Sequence, residues 1–89
     1  MLVVTACLTG RSDKRAECVA ALSKAAAASR GDAGCVSYSF TVDLENPDRY
    51  VSVELWEDQA SLDAHFTTPH VAELFTLAAY FLITLDRHH

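Results

Sequence analysis

The sequence lacks nearly every signature of a familiar catalytic or structural class. It contains no GxSxG, GxGxxG, P-loop, HExxH or EF-hand pattern, which removes the common nucleophile, dinucleotide, phosphate and metal motifs. Its three cysteines, Cys7, Cys18 and Cys35, are an odd number without CxxC or Cys/His ligand spacing. That speaks against a disulfide framework or a structural zinc and leaves them as small buried apolar side chains. The longest apolar stretch, Leu77 to Leu85, is nine residues including Thr84, far below the roughly 20 that span a bilayer. No membrane association is expected. The N-terminal Met1-Leu2-Val3-Val4 has neither a basic n-region nor a small-residue cleavage site, so no signal peptide is visible and the cytoplasm is the expected compartment. Basic residues are scarce, 7 against 12 acidic ones for a net charge of -5. A chain without a basic stripe cannot neutralise a phosphate backbone, and nucleic acid is excluded as a partner.

What remains is rich in apolar residues. The chain has 89 residues, 51% of them hydrophobic, enough for a single domain over residues 1-89 built from two packed layers. So apolar a composition in so small a domain implies a dense core or a surface covered by another copy of the chain.

The local patterns resolve into strands and helices. Leu2 to Thr9 is rich in Val, Leu and Thr and ends at Gly10, a strand followed by a turn. From Ser12 or Asp13, either a good N-cap, to about Ser29 strong helix formers dominate, with Ala16, Val19, Leu22 and Ala26 on one face. Gly31 and Gly34 close that helix. Cys35 to Val42 and Arg49 to Glu57 alternate as the arms of a hairpin, and Asn46-Pro47-Asp48 supplies turn chemistry. Asp58 caps a short helix from Gln59 to Phe66. Thr68-Pro69 starts another with Val71, Leu74, Phe75 and Ala78 as its stripe. Phe81 to about Leu85 reads as a closing strand. The order β-α-β-β-α-β is that of an α+β, ferredoxin-like fold with a four-stranded antiparallel sheet.

Pairing Val42 with Arg49 sets Phe40 opposite Val51, Tyr38 opposite Val53 and Val36 opposite Leu55. That face is wholly apolar and is expected to be a homodimer contact. The other face pairs Thr41 with Tyr50, Ser39 with Ser52, Ser37 with Glu54 and Cys35 with Trp56, with Thr5 and Cys7 as possible neighbours. Small side chains beneath an alanine-rich helix leave space, and a cavity with convergent polar groups is the expected binding site. A one-residue slip of the turn would reverse these faces.

Within that cavity Trp56 is either a hairpin-anchoring indole or a wall for a stacked ligand. Glu54 is either a solvated or paired carboxylate or a buried general base. Ser37, Ser39, Ser52 and Tyr50 complete a candidate substrate-binding set. His65 and His70 are candidate proton acceptors. At the start of a helix the macrodipole disfavours the imidazolium form of His70, and a surface or capping role is the competing reading for both histidines. Their spacing of five does not place two imidazoles on one helical face, so no metal is expected. His88 and His89, which close the chain, are native or the remnant of a tag and are assigned no role.

Taken together, Gly34-Cys35-Val36-Ser37-Tyr38, Asp43-Leu44-Glu45-Asn46-Pro47-Asp48-Arg49-Tyr50, Glu54-Leu55-Trp56-Glu57, Leu62-Asp63-Ala64-His65-Phe66 and Thr68-Pro69-His70-Val71 resemble the antibiotic biosynthesis monooxygenase family over nearly the whole chain. The most specific part is Trp56-Glu57 followed by His65 and then Pro69-His70. The resemblance implies a ferredoxin-like subunit that dimerises sheet to sheet as a dimeric α+β barrel. It also implies a monooxygenase that needs no metal, flavin or haem, acting with O₂ on a small phenolic, quinol or polyketide-type aromatic substrate. The substrate anion supplies the electrons, and the protein supplies a dry cavity and a proton acceptor. Trp56 would then be a pocket wall, and His65, His70 or Glu54 the acceptor.

The branches of the family bear unequally on this chain. Ser52 and Leu62 stand where the polyketide-tailoring branch has an Asn and a Tyr. Cys7, His65 and Phe75 stand where the haem-degrading branch has its Asn, Trp and haem-ligating His, which disfavours haem degradation. An isomerase branch acting on a phosphorylated molecule would draw on Arg49 and Arg87. The alternative outside enzymology is a non-catalytic, ligand-binding or stress-response dimer.

Overall fold

A computed structural model describes the backbone of residues 1–88 and the side chains of residues 1–78 and 80. The side chains of Arg87 and His88, and all of His89, lie outside the described residues. Strand β1 (Leu2–Gly10) leads through a short 3-10 turn (Ser12–Lys14) into helix α1 (Arg15–Ser29). Strands β2 (Cys35–Val42) and β3 (Arg49–Trp56) follow as a hairpin, then helices α2 (Gln59–His65) and α3 (Pro69–Phe81) and strand β4 (Leu82–His88). The sheet order is β2-β3-β1-β4, antiparallel throughout. This is a ferredoxin-like α+β arrangement, and among the described residues no helix is long and apolar enough to cross a membrane.

The hairpin register differs by one residue from the expected pairing. Val42 faces Tyr50, Phe40 faces Ser52 and Tyr38 faces Glu54. The cause is in the loop. The Asp43 amide donates to the Arg49 carbonyl at 3.0 Å, and the Arg49 amide returns a bond to the Asn46 carbonyl at 3.0 Å. Side-chain oxygens of Asp43 and Asn46 accept from the Glu45 and Asp48 amides, two Asx turns that tighten the connection and let it close one residue further out. An irregularity between Cys35 and Ser37 then absorbs one residue, so that Cys35 still meets Trp56.

This slip reverses β2 but not β3. Tyr38 and Phe40 turn under the helices, with Tyr38 only 7% exposed, and are not part of an outer apolar face. Ser37 and Ser39 point outward and are exposed. On β1 the inward residues are Val4, Ala6 and Leu8, whereas Thr5 and Cys7 share the outer face with Val53 and Val51. The outer face is therefore a mixture of Val3, Val36, Val51, Val53 and Leu55 with Thr and Ser.

Two apolar clusters fill the space between layers, one around Leu8, Cys18, Leu22 and Tyr50 and one around Val4, Ala26, Tyr38, Trp56 and Leu62. Phe40 packs against both. Helix α1 buries Cys18, Leu22, Ala25, Ala26 and Ser29, while Val19 is exposed, so its inward stripe is rotated from the expected one. An alanine-rich helix offers little contrast between faces, and packing on Tyr50 and Leu8 decides its rotation. Neither Ser12 nor Asp13 is its cap: the flanking residues are Arg11 and Lys14, and neither caps through its side chain. Asp58 does cap α2, accepting from the Ser61 amide at 2.8 Å, and the bonds from Ser61 hold its carboxyl below the ordinary range. Of the cysteines only Cys18 is fully buried. Burial, with Glu17 for Cys18 and Asp32 for Cys35, pushes both thiols up and makes them poor nucleophiles.

Two residues test this packing. Gly34 has φ +80°, and a Cβ there would collide with the side chain of Ser61 on α2. Gly34→Ala is expected to cost about 1–3 kcal/mol; an unchanged urea midpoint would show that the loop is not held as described. The buried Tyr50 hydroxyl has no hydrogen-bond partner among the described residues. Tyr50→Phe should therefore be neutral or stabilising, and a loss above about 1 kcal/mol in the same assay would reveal a partner for the hydroxyl.

Candidate functional site

Strand β3 carries three consecutive inward residues of very different size, Ser52, Glu54 and Trp56, all at or below 3% exposure. They form a local chain of hydrogen bonds. The Ala6 amide donates to Ser52 Oγ at 3.1 Å, Ser52 Oγ donates to Glu54 Oε2 at 2.9 Å, and Trp56 Nε1 donates to Glu54 Oε1 at 3.1 Å. Both oxygens of this nearly buried carboxylate are thus engaged, and Glu54 forms no ion pair among the described residues. Burial of a carboxylate is costly, and these donors offset part of that cost.

The last residue of α2, His65, lies over this strand. Its ring is 4.6 Å from the Trp56 ring, 5.6 Å from Tyr38 and 5.5 Å from Phe66, all centroid to centroid. His65 is 3% exposed. Its Nδ1 meets Asp32 Oδ2 at 2.7 Å, and His70 Nε2 meets the same oxygen at 2.9 Å. Because a carboxylate only accepts, these contacts place the ring hydrogen of His65 on Nδ1 and that of His70 on Nε2. With that hydrogen on Nδ1, the atom of the neutral ring that can accept a proton is Nε2, held in orientation by Asp32.

A hollow opens beside His65 between the sheet and α3, lined by Ala6, Ser52, Glu54, Tyr38, Phe40 and His65 on one side and by Val71, Leu74, Phe75 and Ala78 of α3 on the other. It measures about 30 Å³, on a scale where one water needs about 10–15 Å³. The inward turn of Tyr38 and Phe40 explains why it is smaller than a layer of serines would leave, and the small Ala6 and Ser52 explain why it exists at all.

Of the residues singled out from sequence, Ser52, Glu54 and His65 meet at this hollow. Trp56 does not line it: the indole lies behind Glu54 and His65, bonded to one and packed on the other. His70 is a step away, joined through Asp32 and lying between α1 and α3 near Lys24 and Glu73. Tyr50 is buried beyond Phe40 with Val19, Leu22 and Val42. Ser37 and Ser39 are on the opposite face of the sheet. Asp32 was not anticipated; its only sequence signal is an acidic residue between Gly31 and Gly34 in a loop, which reads as turn chemistry.

Comparison with known proteins agrees with this architecture. The sequence pattern of the antibiotic biosynthesis monooxygenase family matches residues 1–76. An uncharacterized protein of Synechocystis sp. is 35% identical over 72 residues, 81% of this chain and 49% of that protein, so the chain spans about half the length of this relative. A Deinococcus radiodurans protein named as a candidate antibiotic biosynthesis monooxygenase superposes with a TM-score of 0.94 at 21% identity, over 99% of this chain and 88% of the other. A further crystal structure, of an antibiotic biosynthesis monooxygenase, matches with a TM-score of 0.92 at 26% identity, over 99% of this chain and 94% of that one. With the family pattern covering both arms of the hairpin, Glu54, Trp56, His65 and His70, the chain belongs to the antibiotic biosynthesis monooxygenase family.

Proposed function

We propose that the protein is a monooxygenase that oxidises a small phenolic or quinol-type aromatic substrate with O₂ at the hollow between the sheet and α3, without a bound cofactor. The observation that carries this reading is the Asp32–His65 pair at the edge of a hollow otherwise lined by apolar groups, Ser52 and Glu54. His65 Nε2 accepts the phenolic proton, and Asp32 stabilises the imidazolium that results. The aromatic anion passes an electron to O₂, and the enclosed radical pair recombines. One oxygen atom enters the substrate and the other leaves as water, all the electrons coming from the substrate. Glu54, held by Ser52 and Trp56, orients a substrate hydroxyl. The hollow must widen for an aromatic ring, and the yielding wall is α3, where Phe75 is 44% exposed at the mouth.

The small volume of the hollow and the engagement of both Glu54 oxygens by Ser52 and Trp56 favour a second reading, a dimer that binds a small aromatic ligand without turnover. Oxygen uptake by the metal-stripped protein with a panel of hydroquinones separates the two. The enzyme reading expects His65→Gln to lower the rate about 10²- to 10⁴-fold and Glu54→Gln to raise KM. Uptake by the wild type no faster than by His65→Gln, with a ligand still bound, would leave the binding module.

The outer sheet face supports a homodimer. Val3, Val36 and Val53 are 57%, 49% and 38% exposed, and Leu55 and Val51 flank Val53 along β3 on the same face. Light scattering is expected to give twice the 9.7 kDa chain mass, and Val53→Glu, which sets a charge in the middle of that face, is expected to halve it. A wild type of single-chain mass at micromolar concentration contradicts the dimer.

A further inference from the structure

Three metal-ligating atoms converge behind the hollow from three separate elements: Asp32 from the loop after α1, His65 from the end of α2 and His70 from the start of α3. They all lie within 4.8 Å of one another, with Asp32 Oδ2 at 2.7 Å from His65 Nδ1 and 2.9 Å from His70 Nε2. The oxidation proposed above uses His65 and its Asp32 partner and gives His70 nothing to do. Two imidazoles and one carboxylate are, however, a common ligand set of transition-metal sites.

We propose that Asp32, His65 and His70 bind one divalent transition-metal ion of the zinc class. The side chains grade from a buried floor to an open rim, with His65 at 3%, Asp32 at 14% and His70 at 22% exposure, so an ion can reach the cluster from the His70 side. An ion bonded at about 2.0–2.2 Å holds its ligands roughly 3.3 Å apart, so the two Asp32–imidazole contacts, at 2.7 and 2.9 Å, each have to lengthen by about half an ångström. Asp32, in a loop, can supply that movement. Each imidazole moves its hydrogen to the other ring nitrogen and stays neutral; in His65 that nitrogen is Nε2, so the proton abstraction proposed above belongs to the metal-free form and a bound ion blocks it. Three protein ligands leave a further position open for water. Two nitrogen donors and one carboxylate disfavour the hard ions Mg²⁺ and Ca²⁺, which take oxygen ligands. The net charge of -5 attracts a cation. An ion here would join the α1–β2 loop, α2 and α3, so its binding is read as stability as well as heat.

The experiment titrates metal-free protein with zinc chloride, followed by calorimetry and thermal unfolding. Because His88 and His89 form a second metal-binding pair in the sequence, it is done in a His88→Ala/His89→Ala background. The expected result is one zinc per chain, a rise in Tm of about 15 °C at a hundredfold excess over Kd, and no rise with magnesium chloride. Asp32→Asn and His70→Gln should each weaken binding at least about tenfold; His70 is near the rim, so its variant reports even if the Asp32 variant unfolds. Absence of saturable zinc binding in that background overturns the site, as does binding that His70→Gln leaves unchanged. The readouts are heat and Tm, so the result is independent of whether the protein oxidises a quinol.

Discussion

The amide of Asp43 bonded to the carbonyl of Arg49 closes the β2–β3 hairpin, and which side chains of β2 turn inward against those of β3 depends on the register it sets. With the loop closed at that pair, Tyr38 and Phe40 fall on the same side as Ser52, Glu54 and Trp56. The period of a strand is two, so a closure one residue nearer the strands would have sent both aromatics outward and replaced them with serines. The core would then lose two large rings. The irregularity between Cys35 and Ser37 matters for the same reason: it returns Cys35 to the inner face and keeps it against Trp56 at the end of the hairpin.

That packing creates the setting for the polar groups. A buried carboxylate such as Glu54 is tolerable only where donors are already in place, and here they come from its own strand and from β1 through Ser52. His65 is held from two directions, by aromatic rings on the sheet side and by Asp32 on the loop side. Such a ring has little rotational freedom, which is the condition for a fixed tautomer and a fixed acceptor direction. The hollow beside it is bounded by a rigid sheet and by one helix, α3, whose contact with the rest of the molecule runs mainly through α1.

Some parts of this site were legible in the residues and others were not. Ser52, Glu54 and Trp56 share one face of β3 by strand periodicity alone, and Asp58, Thr68 and Pro69 announce the helix starts that deliver His65 and His70. Asp32 was invisible because its role depends on two imidazoles more than thirty positions away, and nothing in Gly31-Asp32-Ala33-Gly34 reports distance. Of the two readings of Trp56, hairpin anchor or ligand wall, the contacts match the anchor: its indole points to Glu54 and is covered by His65. Tyr50 shares the inner face with Glu54, yet Phe40 stands between it and the hollow. Ser37 and Ser39 were misplaced with the register.

By itself, then, the sequence determined the order of elements, the turn positions, the inner face of β3 and the family to which the chain belongs, because each of these is written in residues close to one another along the chain. Only the tertiary structure decided which face β2 turns inward, how α1 is rotated, and that Asp32, His65 and His70 meet at one oxygen. A two-residue period tells which side chains share a face but not which face is covered, and an alanine-rich helix has no strong preference of its own. Both questions are settled by loop closure and close packing, which are properties of the assembled chain.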